Sequence, residues 1–169
     1  MDYKLTFGNK LVSNFNITMY TDSNWANEKD NRKSTGGWLT TINNLPINWQ
    51  SKKQSTIAQS STEAEYYALT EAVNETRFLQ QWFKFCCNLD IDITIVIKCD
   101  NTGAIAMSDH STNHNRTKHI DIKHFYIRDI IKQYPIRIEY IPTKDQLADI
   151  LTKATTTQVF KGLIDKLYH

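Results

Sequence analysis

Two glutamates stand one residue apart in SSTEAEYYAL, at positions 63 and 65, where the chain enters a long helical pattern. A carboxylate on a wet helix face is explained by capping and by the positive end of the helix dipole. On the apolar stripe it is costly unless paired, protonated or bound to a metal. At about 100° per residue, with Glu65 at 0°, the residues Leu69, Ala72, Thr76, Leu79, Phe83 and Cys87 all fall within roughly 40°. Glu63 falls near 160°, with Thr70, Asn74, Arg77 and Gln81. The wheel therefore assigns Glu63 to the wet face, where Ser60 three residues earlier forms a capping-box spacing with it. Glu65 is predicted to be buried and in need of a partner.

Three aspartates occupy edge positions of a similar kind. Asp22 follows the strand-like ITMY, Asp100 ends ITIVIKC where a helix begins, and Asp149 lies beside Leu147, Ile150 and Leu151 in a short helix. Sites in α/β sheets gather beyond strand ends at such turns. Converging there, Asp22, Glu65, Asp100 and Asp149 form an acidic oxygen cage suited to hard divalent cations, two of which can cut a phosphodiester in line. Each aspartate also has a plainer reading: Asp22 as a turn residue, Asp100 as a helix N-cap, Asp149 as a partner for a helix dipole. Spacing alone leaves both readings open.

The elements that must position these groups follow from the pattern. NITMYTD (16–22), STGGWLTTI (34–42) and PINWQS (46–51) read as strands, the last two joined at NNLP as a hairpin. A helix runs over 60–86, and DITIVIK (92–98) reads as a strand covered on both faces. A short helix over 101–109, an amphipathic helix over 119–134, a strand over 136–141, a short helix over 145–153 and a tail helix over 155–169 complete the order. Hairpin strands followed by βα units imply an α/β fold with a mixed sheet flanked by helices.

The 169 residues are 40% hydrophobic and 22% charged, with a net charge of +2, an ordinary balance for one globular domain. No apolar run approaches a membrane span, and MDYKLTFGNK has no signal-peptide pattern, so secretion is not expected. Three cysteines, Cys86, Cys87 and Cys99, without a CxxC, argue against a disulfide framework or zinc site and fit a reducing compartment.

The strings YTDSNWA, DNRKSTGGW, WQSKKQSTIAQSSTEAEYYAL, CDNTGAI, RTKHIDIKHFYIRD and IPTKDQLADILTK, in this order, resemble the ribonuclease H domain of copia-type (Pseudoviridae) retrotransposon Pol polyproteins. The resemblance spans roughly residues 1 to 165. It implies one ribonuclease H domain over 1–169, with 1–15 as a remnant of the join to reverse transcriptase, and a five-stranded mixed sheet with helices on both faces. The family's DEDD carboxylates map onto Asp22, Glu65, Asp100 and Asp149. It further implies hydrolysis of the RNA strand of RNA–DNA hybrids, leaving 3′-hydroxyl and 5′-phosphate ends. Two Mg2+ ions, with Mn2+ as substitute, would be held by those four carboxylates. The implied partners are the hybrid and the reverse transcriptase domain of the same polyprotein, and the implied location is the cytoplasm, within virus-like particles.

Ser23, Asn24, Ser61 and Thr62 are candidates to meet the RNA 2′-hydroxyl; capping and turn bonds are an equal reading of such residues. Lys52, Lys53, Arg116 and Lys118 are candidates for the phosphates, and Trp25 or Trp38 for a face against the hybrid, with core packing the stronger expectation for either tryptophan. The chain departs from many cellular ribonucleases H in having no histidine in IPTKDQLAD. His119 and His124 lie about 140° apart on their helix, a poor metal pair, and Lys144 is a substitute. An integrase or resolvase of the same fold, or a non-catalytic connection domain, are the competing readings. The four filled acidic positions speak against both.

Overall fold

The computed structural model describes residues 16–87, 94–109 and 118–167. Five strands form one mixed sheet in the order β3-β2-β1-β4-β5. They are β1 (Ile17–Asn24), β2 (Thr35–Ile42), β3 (Leu45–Lys53), β4 (Ile95–Cys99) and β5 (Ile136–Tyr140). β2 is antiparallel to both β1 and β3, while β4 runs parallel to β1 and β5 parallel to β4. Strands β1, β3, β4 and β5 therefore all point the same way.

Among the described residues five α-helices accompany the sheet: α1 (Ser61–Cys87), α2 (Thr102–Asp109), α3 (Lys118–Gln133), α4 (Asp149–Thr152) and α5 (Thr157–Leu167). Side chains alternate across a strand, and two apolar clusters follow that alternation. Ile17 and Met19 of β1, with Trp38 of β2 and Ile95 and Ile97 of β4, pack against Tyr66, Leu69 and Val73 of α1 and Ile127 and Ile130 of α3. Tyr20 and Leu39 face the other way, onto Leu147, Leu163 and Leu167. The mixed sheet with helices on both faces is thus present as the sequence implied.

Three local expectations change. The β2–β3 connection is shorter than NNLP: Asn43 and Asn44 alone turn the chain, both at positive φ (50° and 67°), as a two-residue hairpin turn requires. Leu45 and Pro46 already belong to β3, an edge strand where proline removes no ladder bond. The expected helix over 145–153 is broken in two: a 3-10 turn, Thr143–Asp145, ends at extended Gln146, and α4 restarts at Asp149. The buried Gln146 amide explains the break, because Nε2 donates to the Thr21 carbonyl at 3.0 Å and its Oε1 accepts from the Ala148 amide at 3.3 Å.

Glu63 is the third change. It is buried, not on a wet face. The capping box forms, with the Glu63 amide donating to Ser60 Oγ at 3.1 Å, but the carboxylate arm lands one residue earlier, accepting from the Gln59 amide at 2.7 Å and from the Tyr67 hydroxyl. The segment 54–59 folds over this side of α1, placing Ala58 against Ala64 and Tyr67. The Glu65 stripe is as the wheel has it, with Leu69, Ala72, Thr76, Leu79 and Phe83 all buried. Cys87 lies outside the described side chains.

Candidate metal centre

Each of the four acidic residues lies at or beyond the C-terminal end of one of the four co-directional strands. Asp22, near the end of β1 and still paired to β2, lies one residue beyond Thr21, and Asp100 one beyond Cys99, Thr21 and Cys99 being the last residues that pair β1 with β4. Glu65 stands in the second turn of α1, the helix that follows β3, and Asp149 opens α4, beyond β5. All four therefore reach the same sheet edge, the crevice where parallel strands place ligands.

Carboxylate oxygens of Asp22, Asp100 and Asp149 all lie within 4.8 Å of one another. Asp100 is left available because Asn101, the neighbouring residue, does the capping: Asn101 Oδ1 accepts from the Ala104 amide at 2.9 Å. Asp100 Oδ2 accepts from the Thr143 hydroxyl at 2.8 Å. Glu65 Oε1 accepts from the Ser23 amide at 3.0 Å, while Oε2 is buried with no hydrogen-bond partner among the described residues.

Burial pushes the Glu65 carboxyl up to about 8, with the charges of Asp22 and Asp100 adding to it and hydrogen bonds from Ser23 opposing. Burial likewise raises Asp22 to about 6, against the Thr152 hydrogen bond and the Lys153 charge, while Asp149 adds to the rise. Burial is the main cause of both rises, and the neighbouring carboxylates add to it.

Two residues of the site escaped the sequence reading. The Thr152 hydroxyl donates to Asp22 Oδ2, and the Lys153 ammonium donates to Asp22 Oδ1 and Asp149 Oδ1 at 3.0 Å each. Burial would lower the lysine's pKa, but the charges and hydrogen bonds of the two aspartates overcome it and raise it. The i,i+4 spacing of Asp149 and Lys153 was the available signal. Lys144, by contrast, bears on Asp145.

The donor set fits a hard divalent cation. The three clustered aspartates supply only oxygen ligands, one ammonium offsets part of their charge, and Glu65, which is not one of that 4.8 Å group, has an oxygen without a partner that a cation would satisfy. Cys99, buried nearby, has its thiol pushed up to about 12 by burial and stays a neutral core residue.

The candidate nucleic-acid residues are less uniform. Ser23 is buried, and Asn24 spends its amide on the Thr152 carbonyl at 3.3 Å. Ser61 is exposed and Thr62 half-buried at the start of α1. Lys52 and Lys53 are exposed at the end of β3 and line a small cleft with Gln50, Gln54 and Tyr67, and Lys53 is paired with Glu28. Trp38 is in the core, while Trp25 is half-exposed with its indole N–H on the Ala58 carbonyl at 3.0 Å. Arg116 and the side chains of Lys118, His119 and His124 lie outside the described residues. Among the described residues no helix is long and apolar enough to cross a membrane.

No family model matches the chain. It is 35% identical over 164 residues, 94% of its length, to the retrovirus-related Pol polyprotein from transposon RE1 of Arabidopsis thaliana. It is 39% identical over 143 residues to that from transposon TNT 1-94 of Nicotiana tabacum. The chain spans only 11% and 10% of the length of these relatives. Among solved structures it is similar to LC11-RNase H1, isolated from compost, with a TM-score of 0.63 at 17% identity, covering 81% of this chain and 92% of that one. It is also similar to the foamy viral protease-reverse transcriptase in complex with RNA/DNA hybrid, with a TM-score of 0.60 at 16% identity, over 95% of this chain and 22% of that one.

Proposed function

We propose that this chain, which belongs to the ribonuclease H domains of copia-type Pol polyproteins, is a metal-dependent endoribonuclease that hydrolyses the RNA strand of RNA–DNA hybrids. The observation that carries this reading is the meeting of Asp22, Asp100 and Asp149 within 4.8 Å of one another, beside a Glu65 oxygen with no partner. Three aspartates from three segments meet and their charges bear on the buried Glu65, an arrangement whose repulsion is costly without a cation. The similarity to structures solved with RNA/DNA hybrid and to Pol polyproteins supports the substrate class.

In this reading Asp22, Glu65, Asp100 and Asp149 hold two Mg2+ ions, or Mn2+ in their place. The bound ions supply a water of lowered pKa and charge stabilisation at the leaving 3′-oxygen. The chain's own groups then divide the work. The Ser23 amide fixes Glu65, the Thr152 hydroxyl fixes Asp22, and the Thr143 hydroxyl fixes Asp100, so three of the acids are oriented before any ion arrives. Ser61 and Thr62, accessible in the first turn of α1 ahead of Glu65, are the candidates for the 2′-hydroxyl. Ser23 and Asn24 act from beneath by holding Glu65 and α4. Lys52, with Lys53, Arg116 and Lys118, would meet phosphates. The domain would work beside the reverse transcriptase of its polyprotein, inside virus-like particles.

A labelled RNA–DNA hybrid incubated with the chain and Mg2+ tests the proposal. Cleavage of the RNA strand to 3′-hydroxyl and 5′-phosphate ends, abolished by Asp100→Asn, is expected. Binding without cutting would favour a connection domain, and cutting of duplex DNA an integrase-like enzyme.

A further inference from the structure

The acidic cluster carries a cation supplied by its own chain. Lys153 sits at the end of α4 with extended backbone (φ −126°, ψ 145°), and its ammonium spans the gap between Asp22 Oδ1 and Asp149 Oδ1. The Asp22 side chain is 1% exposed, but that of Lys153 is 34% exposed, so the lysine reaches into the cluster from solvent rather than being walled in. The other oxygen of Asp22 is taken by Thr152. Both Asp22 oxygens are thus engaged, so a divalent ion bound by Asp22 and Asp149 competes with Lys153 for Asp22 Oδ1, and two cations in one gap repel.

We infer that Lys153 is a resident counter-cation: it holds Asp22 and Asp149 together in the metal-free protein and leaves when a divalent ion takes their oxygens, so that it sets the ion affinity of the site. This rests on the metal-site reading above. It makes Lys153 a positioning residue that acts through the two aspartates. A lysine suits the role because its compact ammonium rides a flexible stem and is readily rehydrated on release, whereas a purely structural pair would favour burial and a fork of fixed bonds. Two features agree. The partial exposure gives the ammonium an exit, and the short α4 holds Asp149 by its backbone, through the Lys153 amide on the Asp149 carbonyl at 3.0 Å, so the aspartate keeps its place when the side chain leaves.

The test is calorimetric titration of Mn2+ and Mg2+ into the chain without nucleic acid, comparing the parent with Lys153→Met and Lys153→Arg. Removing the charge at similar length is expected to tighten ion binding by about twofold to fivefold, the worth of one partly exposed ion pair. Lys153→Arg, which keeps the charge, should stay near the parent. A Lys153→Met site that binds no more tightly than the parent overturns the inference while leaving the metal site intact. A parent that binds neither ion sinks the metal-site reading itself, and this one with it. Should Lys153→Met fail to fold, nitrogen-15 NMR of the lysine ammonium groups in the parent decides. The Lys153 signal, identified by its loss in Lys153→Arg, should lose its protection as Mg2+ saturates the site; a signal that persists unchanged at saturation refutes the exchange.

Discussion

The Ser23 amide donates to Glu65 Oε1 at 3.0 Å, one residue beyond Asp22, so the tip of β1 and the second turn of α1 are tied at the acidic cluster. The bond uses one oxygen and leaves the other buried without a partner among the described residues. Glu63, two residues earlier on the same helix, spends its carboxylate on Gln59 and Tyr67 instead. The two glutamates are both buried, yet one is a structural tie and the other a charge held in reserve.

Exchanging each for glutamine should therefore give crossed results. Glu65→Gln matches the protonated form that burial favours, so it is expected to keep its melting temperature and lose hybrid cleavage by at least about a hundredfold. Glu63→Gln weakens a charge-assisted bond to the Gln59 amide, costing about 1 kcal/mol of stability, while activity per folded molecule stays within about twofold. Equal losses of activity from both would sink the distinction.

The acid cluster also predicts how stability responds to pH. Asp22 at about 6 and Glu65 at about 8 both lie above their ordinary values of 3.8 and 4.5. Between those ordinary values and the raised ones, the folded chain binds protons that the unfolded chain has released. Their contribution is thus fully present near pH 4 and is lost as pH rises through 6 and then 8. Without divalent ions the melting temperature should fall by at least about 5 °C from pH 5 to 8.5, and Glu65→Gln should flatten the upper half of that fall. A melting temperature that rises across this window would contradict the assignment.

Divalent ions should restore what the repulsion removes. Millimolar Mg2+ is expected to raise the melting temperature because it binds the native cluster alone, and to raise it more at pH 8.5 than at pH 6, since ligands must release their protons first. Chelation should reverse the shift. Thermal melts at the two pH values with and without Mg2+ decide it, and an equal or absent shift argues against a preformed site.

The parts of this site that were legible in the sequence are those set by local periodicity. The stripe through Leu69, Ala72 and Phe83 obeys the helical repeat, so Glu65 could be recognised as out of place among them. Asp22 and Asp100 follow from strand ends. Glu63 was misplaced because its cover comes from 54–59, a segment without periodicity that folds back so that Gln54 Nε2 donates to the Ala64 carbonyl at 2.8 Å. Thr152 reaches Asp22 across 130 positions, a pairing that nothing local announces. Gln146, which breaks the expected helix before Asp149, is buried by contacts to β1 and β4 that exist only once the sheet is formed.

The same long-range logic singles out Gly37, the cross-strand partner of Asp22. A Cβ there would stand 2.9 Å from Thr152 Cγ2, 3.0 Å from Leu151 Cβ and 3.1 Å from the Gln50 carbonyl. Leu151 is itself held by its carbonyl, which accepts from the Ser51 hydroxyl at 2.6 Å, so α4 has little room to yield. Gly37→Ala must lift α4 from the sheet, taking Thr152 from Asp22 and shifting Asp149. The expected cost is about 1–3 kcal/mol of stability and, because misplacing catalytic groups by about 1 Å is expensive, a loss of activity on the order of a hundredfold. Gly162→Ala is the matched control: a Cβ there meets nothing within 4 Å, and at this exposed position of α5 it should add up to about 1 kcal/mol through helix propensity with cleavage unchanged. Melting curves and hybrid cleavage of the two variants measure the contrast, and a Gly37→Ala enzyme as active as Gly162→Ala would show that the seating of α4 does not control the acids.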